Sequence, residues 1–485
     1  MRGTRKTLWL AGLLALSAGA RGDVLSLKDY LAQVKQGNQA IRAALDTNAS
    51  LELADTQVLT AFSPQFNAVA EYMDSQVPQQ VAFESFHTYS GNLNLGLSDL
   101  LPTGTKLSLG YQSSESMLEY LAGGLDTASV PAGLAGLLSA FAPQNPFYTV
   151  NPSLTVTQSL WKGWLAGGVR AQQRQVMSGA RAAQALNRFQ VGRILFQAEQ
   201  AYYNLVLAQD ALGIQQESLD RANKILDWAQ RRAASNLGNQ VDVLASKAAV
   251  EQAEIGLAQA QQDLSDARRG FDSLRGLSGA ASSVELEPLV QPSAALRRTG
   301  DREDLVAARF DLDQRRAEVD VAADQYTPDL KVFGTLSLDG GAGDYPDAQG
   351  LGWSTGNLST AVGVNFSMNL DLPLFLRTMK GARLARQSGQ EALDQKRRDL
   401  DDDWALLEEH WRNVRQRLAI ADDLEALQKD KADREKRRFE NGLSTNFQVL
   451  QYENDYTQAR LMRLKLVAEA SILKAEADFY NGNGI

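Results

Sequence analysis

Two hydrophobic periodicities alternate along this chain, and the alternation is stated twice. From Val24 to Val34 the apolar residues Leu25, Leu27, Leu31 and Val34 fall at helical spacing. Ser26 with Asp29 reads as a capping box, and Gly37-Asn38 as the stop. Gln39 to Ala61 predicts a second helix, halted at Ser63-Pro64 because proline excludes the residue before it from the α region. Beyond Pro64 the period drops to two. Phe66, Ala68, Ala70 and Tyr72 alternate with smaller or polar residues, as do Leu93, Leu95 and Leu97, and then Leu107, Leu109 and Tyr111. The turn residues Leu101-Pro102-Thr103-Gly104 between the last two runs predict a β-hairpin across Leu93–Tyr111. Ser114 to Tyr148 has no clean period and reads as a long loop with room for one short helix. Leu154, Val156 and Leu160 make a further strand that ends at Trp161.

Long helical arms follow. Ala166 to about Arg232 contains no proline and predicts a helix on the order of 90 Å at 1.5 Å per residue. Val241 to Leu274 returns, and Gly276–Gly300, with Pro288 and Pro292, is a connector. The second half repeats the order: helix Arg302–Tyr326, stop at Pro328, strand Leu330–Leu338, a Gly/Asp loop over Asp339–Gly356, strand Leu358–Leu372 ended by Pro373, arm Lys380–Phe439 and return Phe447–Phe479. All 12 prolines fall outside these proposed arms; a proline in a helix interior costs about 3 kcal/mol.

The arms turn at matching motifs. Arg231–Leu244 reads RRAASNLGNQVDVL and Arg437–Leu450 reads RRFENGLSTNFQVL. Gly and Asn at their centres suit helix termination, while Asn239, Ser444 and Thr445 are candidate caps of the returning helices. Each motif reads as the tip of an αα-hairpin, and the pair as the mark of internal duplication.

Composition narrows the function. A net charge of -9 argues against a nucleic-acid partner. With no cysteine there are no disulfides or thiolate metal sites, and His87 and His410 alone do not make a histidine metal centre. Arg2, Arg5 and Lys6, the apolar run Leu8–Leu16 and Ala18-Gly19-Ala20 read as an export signal, too short for an anchor. No later run is apolar enough for a transmembrane helix, so a membrane would be crossed by strands. Strands with one apolar and one small or polar face also suit a soluble sandwich. Export, the near absence of charge on the apolar faces and aromatics at strand ends (Phe62, Phe66, Trp161, Trp164, Tyr326, Phe375) favour a membrane barrel. A chain with about four to six strands cannot close alone, since single-chain barrels need at least about eight. Closure then falls to oligomerisation.

The segments SLKDYLAQVKQGNQAIRAA, FSPQF, LTVTQSLWKGW, AYYNLVLAQDAL, REDLVAARFDL, LDLPLF and RFENGLSTNFQVLQYEND, in this order with the two tips, resemble the TolC family of outer-membrane efflux channels over nearly the whole mature length. The fold expected is therefore an α+β membrane protein. Long antiparallel coiled-coil hairpins would form a periplasmic α-barrel, and transmembrane β-barrel strands would be closed by trimerisation. The resemblance implies a homotrimer, a 12-stranded barrel with four strands per protomer, residence in the Gram-negative outer membrane and docking of an inner-membrane pump through a periplasmic adaptor. It departs in two places. The first-half strand region is about fifty residues longer than the second, with the Pro102–Gly104 hairpin as the extra piece, as in a subgroup of the family. Acidic positions that narrow the mouth in relatives are here Gln448 and Gln451, while Asp242 matches one.

The organisation expected is signal 1–20, helices 21–63, strands and loops 64–161, hairpin 162–278, connector 279–300, helix 301–327, strands 328–376, hairpin 377–480 and tail 481–485. Asp242, Asn446, Gln448 and Gln451 are the candidate entrance residues. Asn236, Leu237, Gly238, Gly442, Leu443 and Ser444 are the candidate adaptor-contacting tips. The acidic run Asp399, Asp401, Asp402, Asp403 reads as a solvated face, and Gly340–Gly350 as a surface loop without a phosphate-loop lysine. No nucleophile elbow, metal set or cofactor motif appears, so no enzyme is expected. The function expected is a passive exit duct of a tripartite efflux or type I secretion system. The alternatives are a non-conducting envelope scaffold and a soluble periplasmic adaptor.

Overall fold

The computed structural model describes residues 24–76, 85–120, 145–235, 239–278 and 284–482. Two compact units emerge. One gathers the described residues of Met1–Ser50, Ala183–Ala307 and Asp394–Ile485; the other gathers those of Leu51–Ala182 and Ala308–Leu393. The elements in chain order are α1 (Leu27–Gly37), α2 (Gln39–Leu51), α3 (Thr56–Leu59), β1 (Gln65–Gln76), β2 (Ser85–Leu100), β3 (Thr105–Tyr120), β4 (Phe147–Ser159), α4 (Gly167–Ala234), α5 (Gln240–Leu274), α6 (Glu303–Tyr326), β5 (Asp329–Leu338), β6 (Gly340–Ala342), α7 (Tyr345–Gly352), β7 (Leu358–Ser367), α8 (Leu372–Glu440) and α9 (Asn446–Tyr480).

In the second unit the strands form one antiparallel sheet of order β1-β2-β3-β4-β5-β7, with β6 paired to β4 off this path. The hairpin foreseen around Leu101–Gly104 is real and longer than its alternation indicated. It lies inside the sheet, β2 pairing with β1 and β3 with β4. The register keeps the faces separate because facing residues of antiparallel strands share a side. Phe66, Leu97, Leu109, Leu154 and Leu336 form one row across five strands. Asn67, Gly96, Gly110, Ser153, Ser337 and Ser359 form the next row, on the opposite face, across six. The apolar face is left bare: Phe66, Leu97, Leu109, Val362, Val364 and Phe366 are all exposed. Gly104 closes the β2–β3 turn at φ +80, and a Cβ there would lie 2.3 Å from the carbonyl oxygen of Gly163, so only glycine lets the turn seat against the end of β4.

Several expectations are corrected. The helix foreseen over Gln39–Ala61 breaks at Glu52–Asp55 into tight turns, with Ala54 N–H donating to Leu51 O and Thr56 N–H to Leu53 O. Ser114–Tyr120 and Phe147–Tyr148, foreseen as loop, continue β3 and β4, the span between them lying outside the described residues from 121 to 144. The Gly/Asp stretch Asp339–Gly356 is ordered: it holds β6 and α7, capped by Asp344, whose side chain accepts from Asp347 N–H at 2.9 Å. Strand β7 ends at Ser367, and α8 begins eight residues before the foreseen arm. Pro373 sits in its first turn, where no helical hydrogen bond is lost, and Asp371 caps it through Leu374 N–H at 3.0 Å.

The first unit is helical. Its best buried cluster joins α1 (Tyr30, Val34), α2 (Ile41), α4 (Val191, Leu195, Ala198, Tyr202, Leu205, Val206), α5 (Leu264, Phe271) and Leu286 of the connector. Ser26 caps α1 as foreseen, accepting from Asp29 N–H at 3.2 Å. Among the described residues no helix is long and apolar enough to cross a membrane.

Candidate functional site

The second tip is a closed, fully specified turn. After α8, Gly442 adopts φ +76, Gly442 N–H donates to Phe439 O at 2.9 Å and Leu443 N–H to Arg438 O at 2.8 Å. This is a Schellman stop, which needs a residue free to take positive φ. Thr445, one of the two foreseen caps, accepts from Gln448 N–H. Below the turn Glu435 is buried. It accepts from Ser444 Oγ and pairs with Arg438 at 3.1 Å, while Arg438 also donates to Leu443 O at 3.4 Å. Glu435 and Arg438 are positioning residues that spacing alone did not reveal. At the first tip Asn239 caps α5 through Val241 N–H at 3.1 Å, and Asn236, Leu237 and Gly238 lie outside the described residues.

The two tips, about 200 residues apart in the chain, meet in space. Asn446 is 3% exposed, and its amide nitrogen donates to Asp242 O at 2.8 Å and to Ser246 Oγ at 2.5 Å. Trp228 of α4 packs on Phe439 of α8 with ring centroids 3.8 Å apart, and the Arg232 guanidinium lies 4.6 Å from the Trp228 ring. Further along, Arg221 of α4 reaches Glu453 of α9 at 2.8 Å and Thr457 at 3.0 Å, and Arg460 of α9 pairs with Glu217. Burial raises the Glu453 carboxyl, and Arg221 opposes it. Arg221, Glu453 and Thr457 border a groove of about 200 Å³ between α4, α5 and α9. Of the foreseen entrance residues, the structure brings Asp242 and Asn446 together. Gln448 and Gln451 stand exposed on α9, Gln448 accepting from Ser444 Oγ at 3.2 Å and Gln451 donating to Asp455 at 2.9 Å. Leu443, Phe447, Val241 and Leu244 are exposed beside them, so the tips present apolar side chains around a polar turn.

A second polar cluster lies higher on the same helices. Glu199 of α4 borders a cavity of about 260 Å³ with Arg302, Glu303 and Asp478. Burial, and then Asp478, push its carboxyl up to about 7, with Lys474 opposing. A carboxyl raised from 4.5 to about 7 stabilises the fold below pH 4.5 and loses that contribution as pH climbs through 7. The loss is about 3 kcal/mol at 1.36 kcal/mol per unit. Glu199→Gln is expected to remove this slope, leaving the variant the more resistant to urea at pH 8, and paired urea titrations at pH 5 and pH 8 check it. The acidic run on α8 is a solvated face: Asp399, Asp401, Asp402 and Asp403 are all exposed, Asp401 pairing with Arg298 at 2.6 Å and Asp403 with Arg302 at 3.7 Å. Among the described residues no three carboxylates or imidazoles are placed to hold a metal ion.

A single-sided antiparallel sheet, paired helical hairpins and interlocked tips now stand beside a match of residues 297–481 to a family described as outer membrane efflux protein. That match covers the second half of the chain, from the connector to the end of α9. The TolC-like resemblance read from its motifs agrees with this. It is similar to the protein CyaE of Bordetella pertussis, 29% identical over 259 residues that cover 48% of this chain and 50% of that one. The chain thus matches half the length of that relative. In fold it resembles the outer-membrane channel OprN at TM-score 0.66 and 18% identity, covering 94% of this chain and 89% of OprN. The outer membrane protein VceC of Vibrio cholerae matches equally, at TM-score 0.66 and 16% identity over 94% of this chain and 96% of that one.

Proposed function

We propose that this protein is the passive outer-membrane exit duct of a tripartite efflux or type I secretion system of a Gram-negative cell. Three copies close a β-barrel, and their hairpins continue it as a periplasmic helical tube. A periplasmic adaptor docks at the tips and links the duct to an inner-membrane pump that supplies the energy. The observation that carries this reading is the sheet: one face bare and apolar, the other small and polar, as a wall between lipid and water requires. The paired hairpins speak against an adaptor, and single-channel conductance in planar bilayers separates a duct from a non-conducting scaffold. Absence of conductance from intact trimers would defeat the reading.

At the mouth, Asp242, Gln448 and Gln451 line the constriction, Asn446 holds the two tips together, and Gly442, Leu443 and Ser444, with Asn236, Leu237 and Gly238 of the first tip, meet the adaptor. Three copies of Asp242 repel one another and attract cations more strongly in a narrow, poorly solvated opening than in bulk water. Asp242→Asn is expected to lower cation selectivity, and Gln448→Asp with Gln451→Asp to raise it. Reversal potentials under a salt gradient measure both. Unchanged potentials in all variants would place these residues off the constriction.

A further inference from the structure

Resting on the trimeric exit-duct reading, we infer that each subunit contributes six strands to the wall and that the barrel closes with eighteen. The sheet runs β1-β2-β3-β4-β5-β7 without a gap, so the inserted β2–β3 hairpin is part of the wall rather than an appendage to it. Its two strands are in phase with their neighbours. Leu97 and Leu109 continue the apolar row between Phe66 and Leu154, and Gly96 and Gly110 continue the small-residue row between Asn67 and Ser153. A hairpin folded away from the wall would have no reason to keep both rows in register. Leu93, Leu97, Leu107 and Leu109 are left exposed on the same face as Val362 and Val364, as a shared lipid surface demands.

Among the described residues the outer edges of β1 and β7 have no partner, and such edges are not tolerated in hydrocarbon. The occupant that fits them is a second copy of this chain. Successive strands on the path are all antiparallel, so with an even count β1 and β7 run in opposite directions. Copies arranged head to tail around an axis therefore meet β7 against β1 antiparallel, and the ladder continues round the ring. An odd count would place like-directed strands at every subunit boundary. Three copies of six strands give eighteen, and since diameter grows roughly linearly with strand number the ring is about 1.5-fold wider than a twelve-stranded one. The inward row Asn67, Gly96, Gly110, Ser153, Ser337, Ser359 is too small to fill that space.

Electron cryomicroscopy of the full chain in lipid nanodiscs tests this directly. The expected result is three copies and eighteen wall strands. A copy number other than three overturns the trimeric reading, whereas three copies around twelve strands overturn this inference alone. The absence of native cysteine permits a second test in the intact protein. Bimane on Leu97→Cys and Leu109→Cys should lose most of its fluorescence to brominated lipid, as on Val362→Cys. Asn94→Cys and Gln112→Cys, on the opposite face, should keep theirs and react with a membrane-impermeant thiol reagent. Equal quenching on both faces of the hairpin would place it outside the wall.

Discussion

A chain carrying Val362→Arg together with Val364→Arg is expected to be exported but to fail to enter the membrane. Both valines lie mid-strand in β7 on the apolar face, opposite Gly334 and Val332, and they are 84% and 67% exposed. Valines this exposed stabilise nothing by packing within the subunit; contact with lipid, as the proposed wall requires, would account for their place. An arginine on the lipid face near the bilayer midplane costs about 2–4 kcal/mol, so the pair costs roughly 4–8 kcal/mol. At 1.4 kcal/mol per decade this lowers the inserted fraction by roughly a thousandfold or more. Asn365→Arg is the control, because it projects to the polar face, one residue along the same strand, opposite Lys331. Fractionation of outer membranes and refolding into vesicles both read the difference. If the double variant inserts as well as the control, the apolar face does not meet lipid.

Phe271→Ala is expected to loosen the helical unit. The Phe271 ring is 1% exposed, stacks on Tyr30 at 3.9 Å and 10°, and carries the Arg275 guanidinium 4.8 Å from its centroid. Its backbone oxygen accepts from the Tyr30 hydroxyl at 3.1 Å, so one residue anchors α1 to α5 by ring and backbone together. Removal of a buried phenylalanine costs about 3–5 kcal/mol through lost transfer energy and the cavity left behind. Tyr30→Phe keeps the stack and loses only the hydroxyl bond, about 1 kcal/mol. Amide hydrogen exchange in α1 and α5 should accelerate by roughly two to three decades in Phe271→Ala and by about one in Tyr30→Phe. Equal exchange in both variants would mean that the stack does not anchor α1.

The duct reading and the wall inference place different demands on the same sheet. The first needs only that one face be apolar and the other wet. The second needs the inserted hairpin to keep phase with β1 and β4, which the registers of Leu97 with Phe66 and of Leu109 with Leu154 meet. In the helical unit the tips combine rigidity with exposed apolar side chains. Glu435, Arg438 and Asn446 hold the turns, while Leu443 and Phe447 stand in solvent. Such a surface can receive a partner at low ordering cost, because its backbone is already fixed.

The periodicities, stops and tips were legible in the sequence because each rests on local dihedral preference. Proline before β1 and β5, glycine at Gly104 and Gly442, Ser26 and Asn239 as caps, and alternation in β2, β3 and β7 act over a few residues. The break in the Gln39–Ala61 run had no such signal, since Glu52–Asp55 contains neither glycine nor proline. Pro373 misled because a proline that ends a strand is also welcome in the first turn of a helix. Only the tertiary structure placed the β2–β3 hairpin between β1 and β4, paired β4 with β5 across the two halves, and set Asn446 on Ser246 and Trp228 on Phe439. It alone also put Leu165 and Ala166 at φ +52 and +53, beside the docked Gly104 turn. These outcomes depend on which surfaces fit one another after chain segments tens to hundreds of residues apart have met. Spacing along a chain records the face a residue will occupy, and the partner for that face is chosen by packing.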